Sequence, residues 1–189
     1  PIVGYTELTM DDLPEGSQSK QNLHEVLKAA DRAKKLVQQI LTFSRQNSQE
    51  RKPMRVQTLI KEAPKLLRAT IPSSIEIHNA VEEDCGLIKG DPTQIHQVIM
   101  NLSTNAYHAL QETGGKLEVS LKEINLNYEE SLQRVGIKVG RHLELTVKDN
   151  GHGMTSQVLE RIFDPYYTTK KQGKGTGLGL SVTHGIIKN

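Results

Sequence analysis

Gly173-Lys174-Gly175-Thr176-Gly177-Leu178-Gly179-Leu180-Ser181 sets four glycines at alternate positions and runs at once into an apolar stretch with Val182 and His184. Glycine costs backbone entropy, so a loop that uses four of them needs unusual dihedral angles or a very close approach of its backbone to something. Phosphate fits that description. N–H groups at a helix start, with no side chains around them, form a seat for an anion. A flexible linker would be Gly/Ser-rich and would not lead straight into Leu178-Gly179-Leu180 and an apolar helix. Two better-known glycine loops are excluded. A Walker loop ends in Gly-Lys-Ser/Thr, but Lys174 is followed by Gly175, and Lys116 by Leu117. The dinucleotide fingerprint counted from Gly175 and Gly177 meets Leu180 where its third glycine should stand.

Upstream of the loop comes Ile162-Phe163-Asp164-Pro165-Tyr166-Tyr167-Thr168-Thr169-Lys170. An apolar hinge, a basic residue and a glycine-rich end describe a lid that folds over phosphates, with Lys170 and Lys174 supplying point charges. Further back, Asp149-Asn150-Gly151-His152-Gly153-Met154 follows an alternating segment directly. Two readings stand side by side there. One is a tight turn, for which Asp-Asn-Gly is suited. The other is a carboxylate at a strand end that accepts a hydrogen bond from an exocyclic amine, with the glycines letting a flat base lie on the backbone. Asn101 and Asn105 stand one turn apart on a helix, on one face. Their amide oxygens suit a hard cation such as Mg²⁺. Leu102, Ala106 and Ala109 make the neighbourhood small and apolar, which would let a ligand lie close.

The rest of the chain sets the frame. Its 189 residues suffice for one large domain or two small ones. Aromatic residues are 4% with no Trp, so the core must be aliphatic. A net charge of +2 gives no strong field for nucleic acid or an anionic membrane. The single cysteine, Cys85, forms no internal disulfide and suits a reducing, cytoplasmic compartment. No apolar run approaches the ~18 residues of a membrane span. Residues 1–12 read as the end of a helix, and Pro14, Gly16 and Ser17 as a turn. From about Ser19 to Gln46, the spacing of Leu23, Val26, Ala30, Ala33, Val37, Ile40 and Ser44, widened by Leu27 and Leu41, predicts a helix with a bundle-type stripe. That stripe needs more partners than one short helix, so a dimeric four-helix bundle is expected. The polar run 47–52 before Pro53 reads as a linker, which places the helical part at 1–50 and a second domain at 51–189. In that domain a helix is predicted from Thr58 to about Ala69, strands at Ser74–Val81, near Leu87-Ile88, at Leu117–Leu126 and over Leu143–Val147, and a helix from Asp91 to about Leu110. Asp91 caps that helix with Pro92 at its first position, and Gly114-Gly115 end it. Asn127 to Gly140 is a polar excursion. The fold class is α+β, a helical hairpin followed by one mixed sheet with helices on one face.

The order Asn101-x-x-x-Asn105, Asp149-x-Gly151-x-Gly153, Phe163, then Gly175-x-Gly177-x-Gly179 resembles the N, G1, F and G2 boxes of sensor histidine kinases. The helical front, from Ala33-Lys34-Lys35-Leu36-Val37 to Phe43-Ser44-Arg45, looks like the tail of their dimerisation and phosphoacceptor domain. The resemblance covers nearly the whole chain and implies a Bergerat ATP-binding fold using ATP and Mg²⁺. It implies Asn105 as the Mg²⁺ ligand, Asn101 beside the triphosphate, and His108 near the phosphates. Asp149 would read the adenine amino group, with Gly151, Gly153 and Met154 along the base. Ile162 and Phe163 would hinge the lid. Thr168, Thr169, Lys170, Gly173, Lys174, Gly175, Thr176, Gly177, Leu178, Gly179 and Leu180 would form the lid and phosphate seat. The implied partners are a second copy through the helical hairpin and a response-regulator receiver domain.

Two departures shape the expected activity. The family's acceptor histidine stands about eight residues before a stretch like Pro1 to Tyr5, so it is expected upstream of Pro1 and absent here. His24-Glu25 resembles an acceptor, but it sits on the second helix without the proline that should follow. The family also continues past Asn189, so the sheet is expected to be incomplete. The hydrolytic branch of the fold carries Glu where this chain has Asn101, which argues for phosphoryl transfer over hydrolysis. The expectation is a chain that binds Mg²⁺-ATP and does not phosphorylate itself. His78, His96, His142, His152 and His184 show no pairing that suggests metal or catalysis.

Overall fold

The computed structural model describes residues 1–44, 51–68, 71–134, 136–170 and 175–188, with the backbone alone at 32 and 34–44. Contacts divide the chain into two compact units, Pro1–Gln49 with Thr168–Thr176, and Glu50–Tyr167 with Gly177–Asn189. The linker reading at 47–50 lies outside the described residues. So do Gly173 and Lys174, and the side chains of Val37, Ile40, Leu41 and Ser44 in the helical stripe.

The first unit holds α1 (Ile2–Asp11) and α2 (Gln18–Ser44), which contact each other. Gly16 makes the turn between them at φ 77°, a left-handed conformation that glycine adopts at no steric cost. Ser17 Oγ then accepts from Lys20 N–H at 3.3 Å and satisfies one of the orphan donors at the start of α2. Thr6 and Met10 are the buried side chains of α1. Ile2, Tyr5 and Leu8 are 63% or more exposed, and Val26 of α2 is also exposed, so an apolar surface of this pair is left uncovered within one chain.

The second unit begins with β1 (Lys52–Met54) and α3 (Val56–Arg68), followed by β2 (Ile75–Val81), β3 (Ile88–Gly90) and α4 (Pro92–Leu110). It continues with β4 (Gly115–Leu126), α5 (Tyr128–Gln133), β5 (Gly140–Asp149), α6 (Ser156–Leu159) and α7 (Gly179–Lys188). The main sheet has the order β2-β4-β5, with β2 parallel and β5 antiparallel to β4. Parallel pairing of β2 with β4 is possible because α4 crosses between them. The expected single mixed sheet is corrected in one respect. β3 leaves the main sheet and pairs antiparallel with β1 as a separate ribbon. Part of the presumed linker is thus a strand, and Pro53 is tolerated in it because three-residue β1 has only one partner.

The core is aliphatic and lies between α3, α4 and the sheet. Val56, Ile60, Ala63 and Leu67 fall at spacings of four, three and four along α3, and all are buried. Leu117, Val119 and Leu121 alternate inward along β4 and meet Ile99, Ala106 and Leu110 of α4. Pro64 sits inside α3 and has no N–H to give to the carbonyl of Ile60. Asn79 of β2 supplies the missing donor, with Nδ2 at 2.9 Å from Ile60 O. The polar excursion folds in part. Asn127 Oδ1 accepts from Glu130 N–H and Glu130 Oε2 from Asn127 N–H, both at 2.9 Å, and this capping box opens α5.

Candidate functional site

Helix α4 is the axis of the site. Asp91 begins it, Oδ1 accepting from Thr93 N–H at 2.8 Å, with Pro92 in the first turn where its missing N–H costs nothing. Asn101, Asn105 and Ala109 follow at four-residue intervals, so they share one face and span about 12 Å along the axis. Leu102 and Ala106 face elsewhere. Leu102 packs against Val98, Val182 and Ile186 in the seam between α4 and α7, and Ala106 belongs to the main core.

Each end of that face meets one of the glycine elements. At the far end, the backbone of Gly151 lies against the last turn of α4. A Cβ there would stand 2.5 Å from the carbonyl oxygen of Ala109 and 2.7 Å from its Cβ, so only glycine allows the approach. The turn itself is the Asp-Asn-Gly turn read in the sequence. Asp149 Oδ1 accepts from Gly151 N–H at 2.9 Å, and Asn150 Oδ1 accepts from Lys116 N–H at 2.7 Å, tying the end of β5 to the start of β4. Asp149 is exposed, Met154 is 54% exposed, and Gly153 turns the chain at φ 67°. Both readings of Asp149 therefore remain compatible, because the turn engages one carboxylate oxygen.

At the near end, Asn101 Nδ2 donates to the carbonyl of Gly179, the first residue of α7, at 3.0 Å. The loop before α7 is fixed at a second point. Gly177 has φ 67°, and a Cβ on it would overlap the backbone of Tyr166. Tyr166 N–H donates to Gly177 O at 2.9 Å while Tyr166 itself holds φ 66°. Two facing left-handed residues thus close the base of the segment between them. Leu178 packs into the α4–α7 seam, Leu180 is half-buried, and Ser181 Oγ donates to Leu178 O at 3.0 Å. Half-buried Ile162 precedes Phe163, whose ring stacks on His184 of α7 with centroids 4.8 Å apart. Arg161 lies over the Tyr167 ring at 4.4 Å. His108 is half-buried in the last turn of α4, its ring 5.3 Å from that of Tyr107.

Thr168 to Thr176 group with the helical unit, so they are placed by themselves. Thr168 Oγ1 accepts from Lys170 N–H at 3.2 Å, Thr169 is exposed, and Thr176 is half-buried. A Cβ at Gly175 would come within 2.8 Å of Thr168 Oγ1 and 2.9 Å of Lys170 Cδ. Burial holds the Lys170 ammonium below its ordinary range. The structure thus brings Asn101, Asn105, Gly151, Gly177 and Gly179 to α4 and its two flanks. A groove bordered by Leu87, Ile88, Ile95, Val98 and Ile187, and by the charged pair Glu123 and Arg141, lies along the first half of α4 and shares none of these residues.

Residues 90–189 match the family model for the histidine kinase-, DNA gyrase B- and HSP90-like ATPases. The chain belongs to that family. The α+β unit around α4 is accordingly a Bergerat fold, and ATP use comes with it. Among curated relatives, sensor kinase CckA of Brucella abortus (strain 2308) is 32% identical over 187 residues, covering 99% of this chain and 20% of CckA. Sporulation kinase B of Bacillus subtilis (strain 168) is 29% identical over 100% of this chain and 40% of its own length. The chain therefore spans well under half of the relatives it matches. Among solved structures, the catalytic domain of histidine kinase ThkA superposes with a TM-score of 0.54 at 26% identity, over 74% of this chain and 81% of that one. Full-length ShkA in complex with AMPPNP gives a TM-score of 0.66 at 19% identity, over 96% of this chain and 36% of that one, which speaks for the fold alone. Among the described residues, no helix is long and apolar enough to cross a membrane.

Tyr166 and Thr183 carry no signal in the sequence reading, and Ala109, read there as part of a small apolar surface, has a different role. Tyr166 adopts φ 66° although aromatic residues rarely do, and nothing in Asp-Pro-Tyr-Tyr announces it. Ala109 matters through its backbone, pressed by Gly151. Thr183 stands four residues after Gly179, a spacing that would have placed it one turn up α7 beside Asn101.

Proposed function

We propose that this chain is the nucleotide-binding core of an ATP-dependent protein histidine kinase in a two-component system. The kinase moves the γ-phosphoryl group of ATP to a histidine nitrogen and onward to an aspartate of a response-regulator receiver domain. The observation that carries this reading is the α4 face from Asn101 to Ala109, bounded at one end by the Gly151 turn and at the other by the glycine loop. At the Gly151 end Asp149 would accept from the amino group of a purine and Met154 would line the ring. The N–H groups at the start of α7, beside Asn101, would hold the phosphates. Thr168, Thr169, Lys170, Lys174, Gly175 and Thr176 would serve as the lid, hinged at Ile162 and Phe163, and His108 as a residue near the phosphates.

Among the described residues no group of three or more His, Cys, Asp or Glu could hold a metal ion. Asn105, whose amide oxygen is a hard donor, would hold Mg²⁺, an ion that prefers substrate phosphates to an all-protein cage. Bound Mg²⁺ supplies charge neutralisation on the phosphate oxygens. In the transfer, a neutral imidazole nitrogen bonds to the γ-phosphorus as the bond to the β–γ bridging oxygen breaks and ADP leaves. Little proton abstraction is needed. Asn101 matches that demand, since an amide accepts no proton from water and its nitrogen is engaged by Gly179.

The uncovered apolar surface at Ile2, Tyr5, Leu8 and Val26 supports a homodimer built through the helical hairpin. A receiver-domain partner is supported by the solved complex of histidine kinase ThkA with the response regulator TrrA, a fold neighbour at TM-score 0.57. A cytoplasmic location and no nucleic-acid partner agree with the net charge of +2 and the single buried cysteine. His24 is not used as the acceptor in this reading, because it sits on the second helix without the proline that should follow. Its Nδ1 stands 3.2 Å from Lys20 O on its own helix. The test is incubation with Mg²⁺ and γ-labelled ATP. Saturable ATP binding without acid-labile label on the chain is expected, and label on His24 would overturn the assignment.

A further inference from the structure

Thr183 lies on α7, one turn beyond Gly179, and is 7% exposed. Its Oγ1 donates to Gly179 O at 2.9 Å and stands 3.4 Å from Asn101 Nδ2, which also donates to that carbonyl at 3.0 Å. A threonine bonding back to the carbonyl four residues earlier is an ordinary helical habit. The third member is not ordinary. Asn101 comes from another helix, 82 positions away in sequence, and crosses the α4–α7 seam to meet the same oxygen. Two residues earlier, Tyr166 N–H holds Gly177 O. The turn from Gly177 to Gly179 is therefore set by main-chain carbonyls on both sides, and neither set of bonds uses the lid.

We propose that Thr183 is a positioning residue for the nucleotide phosphates. Together with Asn101 it locks the carbonyl of Gly179 and so fixes the direction in which the N–H groups at the start of α7 face. This rests on the nucleotide reading above and deepens it. An anion seat made of backbone donors binds well only when the donors are already aimed, because ordering them on binding costs affinity. Asn101 then acts through α7, in addition to any contact of its own with ligand. Thr183 does the same without touching ligand.

The test uses the whole 189-residue chain. Thr183→Val keeps the shape and removes the hydroxyl. Its dissociation constant for Mg²⁺-ATP is expected to rise about five- to tenfold, the worth of one hydrogen bond. Thr183→Ser restores the hydroxyl and is expected within about twofold of the wild type. Asn101→Ala combined with Thr183→Val is expected to lose less than the product of the two single losses, since both act on one carbonyl. Wild-type affinity in Thr183→Val, or a serine variant as weak as the valine variant, would overturn the proposal. A wild-type chain that binds no nucleotide would instead bring down the functional reading. The lock is then judged by amide exchange in α7, where Val182 N–H bonds to Leu178 O. Faster exchange there in Thr183→Val, with β4 unchanged, supports the lock, and unchanged rates refute it.

Discussion

Gly177 and Gly179 look alike in the sequence, yet the structure separates them sharply. Gly177 holds φ 67°, and a Cβ on it would overlap the Tyr166 carbonyl carbon and lie 2.5 Å from its oxygen. An alanine there meets the left-handed penalty of roughly 1–2 kcal/mol and a backbone overlap of about 1–3 kcal/mol. The two together are worth about 2–5 kcal/mol, a large share of the ~5–15 kcal/mol that holds a typical domain folded. Gly179 opens α7, and its nearest neighbour would be Asn101 Cγ at 3.6 Å, an ordinary contact. Alanine at a helical position gains back up to about 1 kcal/mol of backbone entropy relative to glycine. Gly179→Ala should therefore stay within about 1 kcal/mol of the wild type. Urea denaturation of the two variants, followed by far-UV circular dichroism, reads the contrast. A Gly177→Ala variant as stable as the wild type, or a Gly179→Ala variant as damaged as Gly177→Ala, would refute the assignment of Gly177 as the steric clasp.

Other perturbations follow from single contacts. Asn79→Ala leaves the Ile60 carbonyl without a donor and should cost about 1–3 kcal/mol in urea unfolding, less in a Pro64→Ala background where the helix supplies its own N–H. Asp149→Asn should erase the preference for adenine over guanine nucleotides in calorimetry. It should not move the urea midpoint, because the amide oxygen can still accept from Gly151 N–H. The Arg141 guanidinium, then the Gly86 N–H, hold the Glu123 carboxyl below the usual range. A depressed carboxyl stabilises the fold above its unfolded pKa and loses that contribution as pH falls through its folded value. The stability gap between wild type and Glu123→Gln should therefore narrow on acidification below about pH 4.

The sequence was most legible where chemistry is carried by local pattern. Asp91-Pro92 announced the start of α4, alternation at Leu117, Val119 and Leu121 announced β4, and the spaced glycines announced the loop before α7. It was least legible where a contact joins distant segments. Nothing local to Lys52-Pro53-Met54 says that it pairs with Ile88–Gly90, since both runs are three residues long and too short for periodicity. The capping box of Asn127 and Glu130 was present in the sequence, but six residues of α5 without an apolar stripe give no helical period. In the sequence Leu102 and Ala106 resemble a ligand surface, because apolar residues beside Asn105 serve a pocket and a core equally well. Only packing assigns them to the cores.

Amide-resolved NMR of the chain titrated with Mg²⁺-ATP tests the central geometry most directly. A nucleotide laid along α4 should shift Gly151 and Gly153 at one end and Leu178 to Leu180 at the other, in one saturable transition. Shifts confined to a single end, or two transitions with different affinities, would contradict a shared seat on the Asn101–Ala109 face.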